Sequence, residues 1–413
     1  MTQNRGLLLP LAAVTPPRHM AHLVASRSYL SYQKAELQDK LKHNPFSYIQ
    51  VINPDASRDV DVPRGTPEFF QEVRNGYCDF KDKGWLETAP SRMWYVYRQS
   101  TTEHAWTGVI CNLDLSICSA GALKTHEQTL ASRELLFASF LENVGFHAEP
   151  ILCARPDDLP GVQEADEALA KVTSASADTD FMTADGIRHE IWCLAENSEE
   201  GEAFEAAWGA FDSLYLADGH HRLASSLRLA EKRPDLEGAG QILAYVVPQR
   251  ELTILGYHKE LRELRMTVED VQLALERAPH SDAKRIESTD TAPSKPGELI
   301  VHFHGATWRV RRSQECPLAT DADWCNEHLL GNEFGIHNPR FDGRLRHLPE
   351  TQCPEGGWGA RAKNYPERLI IIMHPLPFGQ IRKVADQGST LPPKSTWVEP
   401  KIRSALFIHE FNP

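Results

Sequence analysis

Five consecutive residues, Asp218-Gly219-His220-His221-Arg222, place a carboxylate, a glycine backbone, two imidazoles and a guanidinium within one turn of chain. Gly219 allows a sharp turn and the close approach of a ligand. Arg222 is a fixed cation with a planar fork of donors. If a helix begins here, its first N–H groups are unpaired and carry partial positive charge. Together these make an anion site, most naturally for phosphate. Asp218 is placed to hold a metal ion or to orient a histidine. The competing reading is plainer: Asp218 caps a helix, Gly219 makes the turn, and both histidines face solvent.

The flanking residues supply the positioning elements. Leu214-Tyr215-Leu216-Ala217 is an apolar run that predicts a short buried strand. Leu223, Leu227 and Ala230 recur at helical spacing, with Arg228, Glu231 and Lys232 on other faces. The expected unit is strand, glycine turn, helix.

A second cluster is Leu123–Thr129, LKTHEQT, ahead of a helix whose expected buried stripe is Leu130, Phe137, Leu141 and Val144. Here Glu127 or His126 suits a general base and Lys124 a phosphate contact. The alternative makes Glu127 a helix-start acid and His126 a cap or surface residue. Further along, His258 suits proton transfer or phosphate contact, or ends a strand. Lys394 and Lys401 form a second group of phosphate cations, or a solvated tail. Lys394-Ser395-Thr396 has the ending of a nucleotide-binding loop, but the glycine loop that cradles phosphates is missing. His302 and His304 alternate along a strand without a third ligand nearby, so a solvent-facing strand is expected there.

The pentapeptide and its surroundings carry a resemblance. Ala217–Arg222 reads ADGHHR, and the chain resembles the domain-of-unknown-function family marked by that sequence. The family belongs to the ParB/sulfiredoxin-like superfamily, with free L-serine kinases, sulfiredoxins and the ParB nucleotide-binding domain. His126, Glu127, Thr129 and Arg133 match a family element, with Ser132 where the family has Asp. His258 matches another, with Lys259 where the family has Arg, and Lys394-Ser395-Thr396 with Pro400-Lys401 match the tail. Tyr29 matches an upstream element, but Leu30 replaces its acid. The likeness runs from about residue 44 to 411.

The resemblance implies an α+β fold with a ParB/sulfiredoxin-like core. Gly219, His220 and Arg222 would hold nucleotide phosphates, joined by Lys124, His258, Lys394 and Lys401. Glu127, His126, Asp218 and His221 would be the catalytic candidates. The implied reaction is phosphoryl transfer to a small hydroxyl metabolite, most closely free L-serine. ATP, ADP or pyrophosphate is the donor, with Mg²⁺ at Asp218 to neutralise phosphate charge. Two alternatives stand beside it: a nucleotide-binding switch of ParB type without transfer, and dephosphorylation of phosphoserine.

The rest of the chain sets the frame. Its 413 residues predict two units, expected at 1–265 and 266–413. A net charge of −13 with no long basic run argues against a duplex-DNA surface but not against a local basic pocket. No apolar stretch approaches the ~18 residues of a membrane span, and no signal peptide is read at the start. Eight scattered cysteines without a C-x-x-C argue against a disulfide scaffold or structural zinc, and the cytoplasm is the expected compartment. Helices are predicted at 33–43, 69–83, 162–172 and 266–278, and strands at 46–52, 93–98, 107–113, 189–194, 241–247 and 369–373. Residues 154–182 are expected as an acidic surface excursion, and 280–297 as a linker before a hairpin turning at Gly305.

Overall fold

The computed structural model describes residues 6–27, 32, 34–57, 62–287, 292–313, 315–392 and 394–411. Tyr29 and Leu30, singled out above, lie outside them. The fold is α+β, and the chain divides into two compact units. One comprises residues 1–125, 129–252 and 400–413; the other comprises 126–128 and 253–399.

The first unit is built on a nine-stranded mixed sheet. From one edge its strands run Leu123–Lys124, Leu214–Asp218, Ile151–Arg155, Gln241–Pro248, Ala105–Asp114, Met93–Ser100, Arg188–Ala195 and Thr179–Met182, with Leu8–Leu9 also paired to Ala105–Asp114. The first two strands are parallel, as are Ile151–Arg155 and Gln241–Pro248; the other pairs are antiparallel. Parallel strands buried on both faces read as continuous apolar runs. That is why Gln241–Val247 and Leu214–Ala217 are legible as strands from composition alone. The core holds Leu214, Leu216, Ile151, Cys153, Ala244 and Val246 beneath the helices.

Two helices frame the end of Leu214–Asp218. His220–Lys232 follows it directly, and Ala131–Val144 packs alongside, joined by Arg228–Glu134 at 2.6 Å and Lys232–Glu142 at 2.5 Å. The buried stripes differ from the expected ones. Leu229 rather than Leu227 is fully buried in the first helix. In the second, Leu141 and Val144 are buried but Phe137 is 43% exposed. The C-terminal segment returns to this unit, where Ile408 pairs with Val14 and His409–Glu410 with Phe146–His147.

Two local expectations are corrected here. Phe46–Ile52 is not a strand; Ile49–Ile52 is a short helix, and Tyr48 and Val51 pack against Phe69, Phe70 and Val73 of the helix Pro67–Asp82. A short apolar run cannot be told from a buried helical turn by pattern alone, so tertiary packing decides it. Pro54–Ser57 adds a helical turn after Ile49–Ile52. Residues 154–182 are not an excursion: they start in the central strand Ile151–Arg155, form the helix Val162–Thr173, and end in the edge strand Thr179–Met182.

The second unit has a six-stranded antiparallel sheet ordered Ser281–Ile286, Ala306–Arg312, Glu298–Phe303, Leu369–Met373, Tyr257–Leu261 and Leu345–Pro349. Ser281–Ile286 is thus a strand within the expected linker. Glu298–Phe303 is buried along its whole length, so it is not the expected solvent-facing strand. His302 is 1% exposed and its Nδ1 is 2.9 Å from Thr307 Oγ1, while His304 sits in the turn with φ 44°. The helix Val268–Arg277 packs on one sheet face, and Gly357–Asn364 on the other.

Candidate functional site

The strand that carries Asp218 is bulged at its end. Leu216 pairs with Cys153, but Asp218 pairs with Leu152, so two residues of this strand oppose one of its neighbour. A bulge bends the strand and re-aims the next side chain. Gly219 follows at φ 104° and is the N-cap of His220–Lys232, with no side-chain cap. A Cβ at Gly219 would lie 2.8 Å from Ile151 Cγ2 and 3.0 Å from Arg222 Nε. The position therefore requires glycine twice over, for the left-handed backbone and for space.

Around this uncapped helix start the structure gathers a charge network. Arg222 folds back over Gly219; its Nη1 donates to Glu149 Oε1 at 2.8 Å and to the Pro150 carbonyl at 2.6 Å. Arg222 Nη2 lies 3.5 Å from Asp218 Oδ2, and Lys401 Nζ lies 3.5 Å from the same oxygen. Ser404 Oγ donates to Glu149 Oε2 at 3.3 Å. Burial pushes the Asp218 carboxyl up, but Lys401, Arg222 and His220 outweigh it and hold the group below its ordinary value. Asp218 is therefore a carboxylate at neutral pH.

The structure brings Asp218, Gly219, His220, Arg222 and Lys401 together. His221 interacts electrostatically with Glu134 of the neighbouring helix. Hydrogen bonds from Thr129 and Arg228 hold the Glu134 carboxyl low. Lys124 lies one strand over from Asp218's strand. It is paired in register with Tyr215, and its Nζ is 3.3 Å from the tyrosine oxygen. Glu149 and Tyr215 are the partners that sequence reading missed. Glu149 precedes an apolar strand far from Arg222 in the chain, and nothing in local composition marks a pairing over 73 residues.

The remaining candidates belong to the second unit. His126 is 2% exposed and its carbonyl accepts from Leu391 N–H at 2.7 Å, in a bridge that pairs Glu127 with Leu391. His258 is 1% exposed; its Nδ1 accepts from Met373 N–H at 3.1 Å, so Nε2 carries the proton and donates to Glu350. Trp358 stacks edge-on against the ring, and its Nε1 also donates to Glu350, at 3.1 Å. Both ring nitrogens of His258 are thus engaged, one by the strand Leu369–Met373 and one by Glu350. Lys394 is exposed, with φ 58°.

A metal has a narrow place here. Among the described residues no three His, Cys, Asp or Glu side chains converge on one point. Asp218 is flanked by two cations, and the Glu149 carboxylate beside it is taken up by Arg222, which does not make a protein-built metal cage. It does suit Mg²⁺ that arrives on a ligand's phosphates, the usual way that ion is held. Among the described residues no helix is long and apolar enough to cross a membrane.

No curated protein matches the chain. Among solved structures it is similar to SbnI with a C-terminal truncation from Staphylococcus aureus, at 12% identity and TM-score 0.37 over 70% of this chain and 82% of that one. It is also similar to a mutant free serine kinase in complex with ADP, at 12% and 0.38 over 72% and 92%. A third is a conserved hypothetical protein from Pyrococcus furiosus, at 11% and 0.35 over 73% and 94%. One family model matches residues 8–331, well over half of the sequence. The chain therefore belongs to the family described as "Protein of unknown function (DUF1015)".

Proposed function

We propose that this protein transfers a phosphoryl group from ATP, ADP or pyrophosphate to a small hydroxyl metabolite, with free L-serine as the acceptor. The observation that carries the reading is the uncapped start of His220–Lys232, set on a glycine with no room for a side chain and flanked by Arg222 and Lys401. The helix start with its dipole and two cations form a phosphate cradle. The choice of serine rests on the motif resemblance, as does a ParB/sulfiredoxin-like core for the first unit.

In this reading the donor's phosphates occupy the helix start, and the Arg222 fork exchanges Glu149 for phosphate oxygens. Lys401 and Lys124 add positive charge as the transferring group spreads its charge over three oxygens. Mg²⁺ bound with the donor would neutralise phosphate charge, with Asp218 as its protein ligand. Asp218, already ionised, is also placed to orient His220. Glu127 and His126 are the residue types for accepting the acceptor's hydroxyl proton. His258, Lys394 and His221 complete the proposed set.

The test is incubation of the purified full chain with L-serine and each donor in turn, following O-phosphoserine by ³¹P NMR. Phosphoserine formed with one donor, and lost in Arg222→Ala, supports the assignment. Absence of product with every donor in both directions overturns it.

A further inference from the structure

Lys259 is the anomaly of the second unit. It is a lysine 1% exposed in the strand Tyr257–Leu261, and among the described residues it forms no ion pair and no hydrogen bond. A buried ammonium normally has a carboxylate partner, because its desolvation is costly. Here the charges acting on it are the Cys325 thiol and a second cation, Lys394. Its register partner on the neighbouring strand is His347. Residues directly opposite on antiparallel strands share a face with Cβ atoms about 5 Å apart, so Lys259 and His347 are side by side. Burial first, then Lys259 and Lys394, push the His347 imidazole down to about 3.

The third member is delivered by a fold-back of the chain. Trp397 packs against Tyr257 with ring centroids 5.8 Å apart, and Tyr257 against His347 at 6.0 Å. Three residues before Trp397, Lys394 sits in a turn with φ 58°, a conformation uncommon for lysine. Its charge acts on both Lys259 and His347. On the opposite face of the same strand the pattern is inverted. There the buried Glu260 carboxylate is met by Arg361 at 2.5 Å, Arg262 at 3.0 Å and Arg368 at 3.3 Å. One face holds a carboxylate compensated by three arginines; on the other, among the described residues, Lys259 has no carboxylate ion-paired to it.

We propose that Lys259, His347 and Lys394 form a phosphate-binding site on the second unit, occupied by a free phosphate or the phosphate group of a small monoester. A monocarboxylate would neutralise one lysine; a phosphate dianion neutralises both and has oxygens left for the imidazole. Charge-assisted contacts of this kind are the strong hydrogen bonds of proteins. The site goes beyond the transfer function proposed for Asp218–Arg222; it shares Lys394 with that proposed set and uses none of its first-unit residues.

The experiment is isothermal titration of inorganic phosphate, and separately O-phosphoserine, into the full chain and three variants. Lys259→Met keeps length and removes the charge, and binding should fall at least tenfold. Lys394→Ala alters an exposed side chain and should weaken binding about tenfold. Arg222→Ala should leave this phosphate equivalent in place, which separates failure here from failure at the helix start. Lys259→Met should also melt higher than the parent in phosphate-free buffer, because an uncompensated buried cation is gone. If O-phosphoserine binds at least as tightly as phosphate, a monoester is the ligand; if only phosphate binds, the free ion is. Unchanged phosphate affinity in Lys394→Ala and Lys259→Met overturns the site. If Lys259→Met does not fold, an unchanged affinity in Lys394→Ala alone does so.

Discussion

Lys401 stands 3.5 Å from Asp218 although 183 residues separate them in the chain. The C-terminal segment thus carries a cation to the end of the strand that starts the phosphate cradle. Lys401 is the largest of the charges that hold the Asp218 carboxyl low. Lys401→Met should therefore raise the Asp218 pKa. A group whose folded pKa is depressed contributes stability above its unfolded value, and loses it as pH falls through the folded value. The variant should begin to lose stability at higher pH on the acid side than the parent. Side-chain carboxyl NMR of Asp218 and melting curves between pH 5 and about 2 check both parts; an unmoved Asp218 titration would sink the assignment.

Arg222 is shared between the cradle and Glu149. Arg222→Ala should weaken donor binding by about 1.5–3 kcal/mol, the worth of a charge-assisted hydrogen bond. Arg222→Lys should also bind worse, because a point charge does not replace a planar fork. Glu149→Gln acts in the other direction: it releases Arg222 from a competing carboxylate at 2.8 Å and should tighten donor binding. Calorimetry with ADP and pyrophosphate on the three variants gives the order, and a weaker Glu149→Gln would contradict the exchange of partners.

Glu127→Gln keeps shape and hydrogen-bonding reach but loses the basic site. If Glu127 takes the acceptor's proton, turnover should fall about 10²–10⁴-fold while donor affinity holds. An acid that only supports local structure would instead lower the melting point and spare turnover. Measuring turnover, nucleotide affinity and melting temperature on one preparation separates the two roles.

His258→Phe should destabilise the second unit. It leaves the buried Met373 N–H without its acceptor at 3.1 Å, and an unsatisfied buried donor costs about 1–3 kcal/mol. It also removes the partner that, against burial, helps hold the Glu350 carboxyl low. Denaturant unfolding followed by Trp358 fluorescence reports the loss, since Trp358 packs on the imidazole. A midpoint equal to the parent's would show that the tautomer assigned here carries no weight.

Local chemistry made much of this protein legible. The apolar run Leu214–Ala217, the glycine and the helical spacing after it specify strand, turn and helix, because each is a matter of neighbouring residues. The α+β class, the two strands within Met93–Asp114 and the buried strand Leu369–Met373 are legible for the same reason. What the sequence could not determine was partnership. Arg222 with Glu149, Asp218 with Lys401 and Lys259 beside His347 are contacts between strands, loops and a returning tail. Charge compensation in a buried setting depends on which groups share the space, and sheet order sets that. Phe46–Ile52 folds as a turn of helix because its packing against Phe69 and Val73 outweighs an ambiguous pattern. The sequence by itself determined the elements and the types of group that do chemistry. The tertiary structure alone decided that Arg222 is held by a carboxylate and that Lys259 is not, because burial turns the presence or absence of one neighbouring charge into a large free-energy difference.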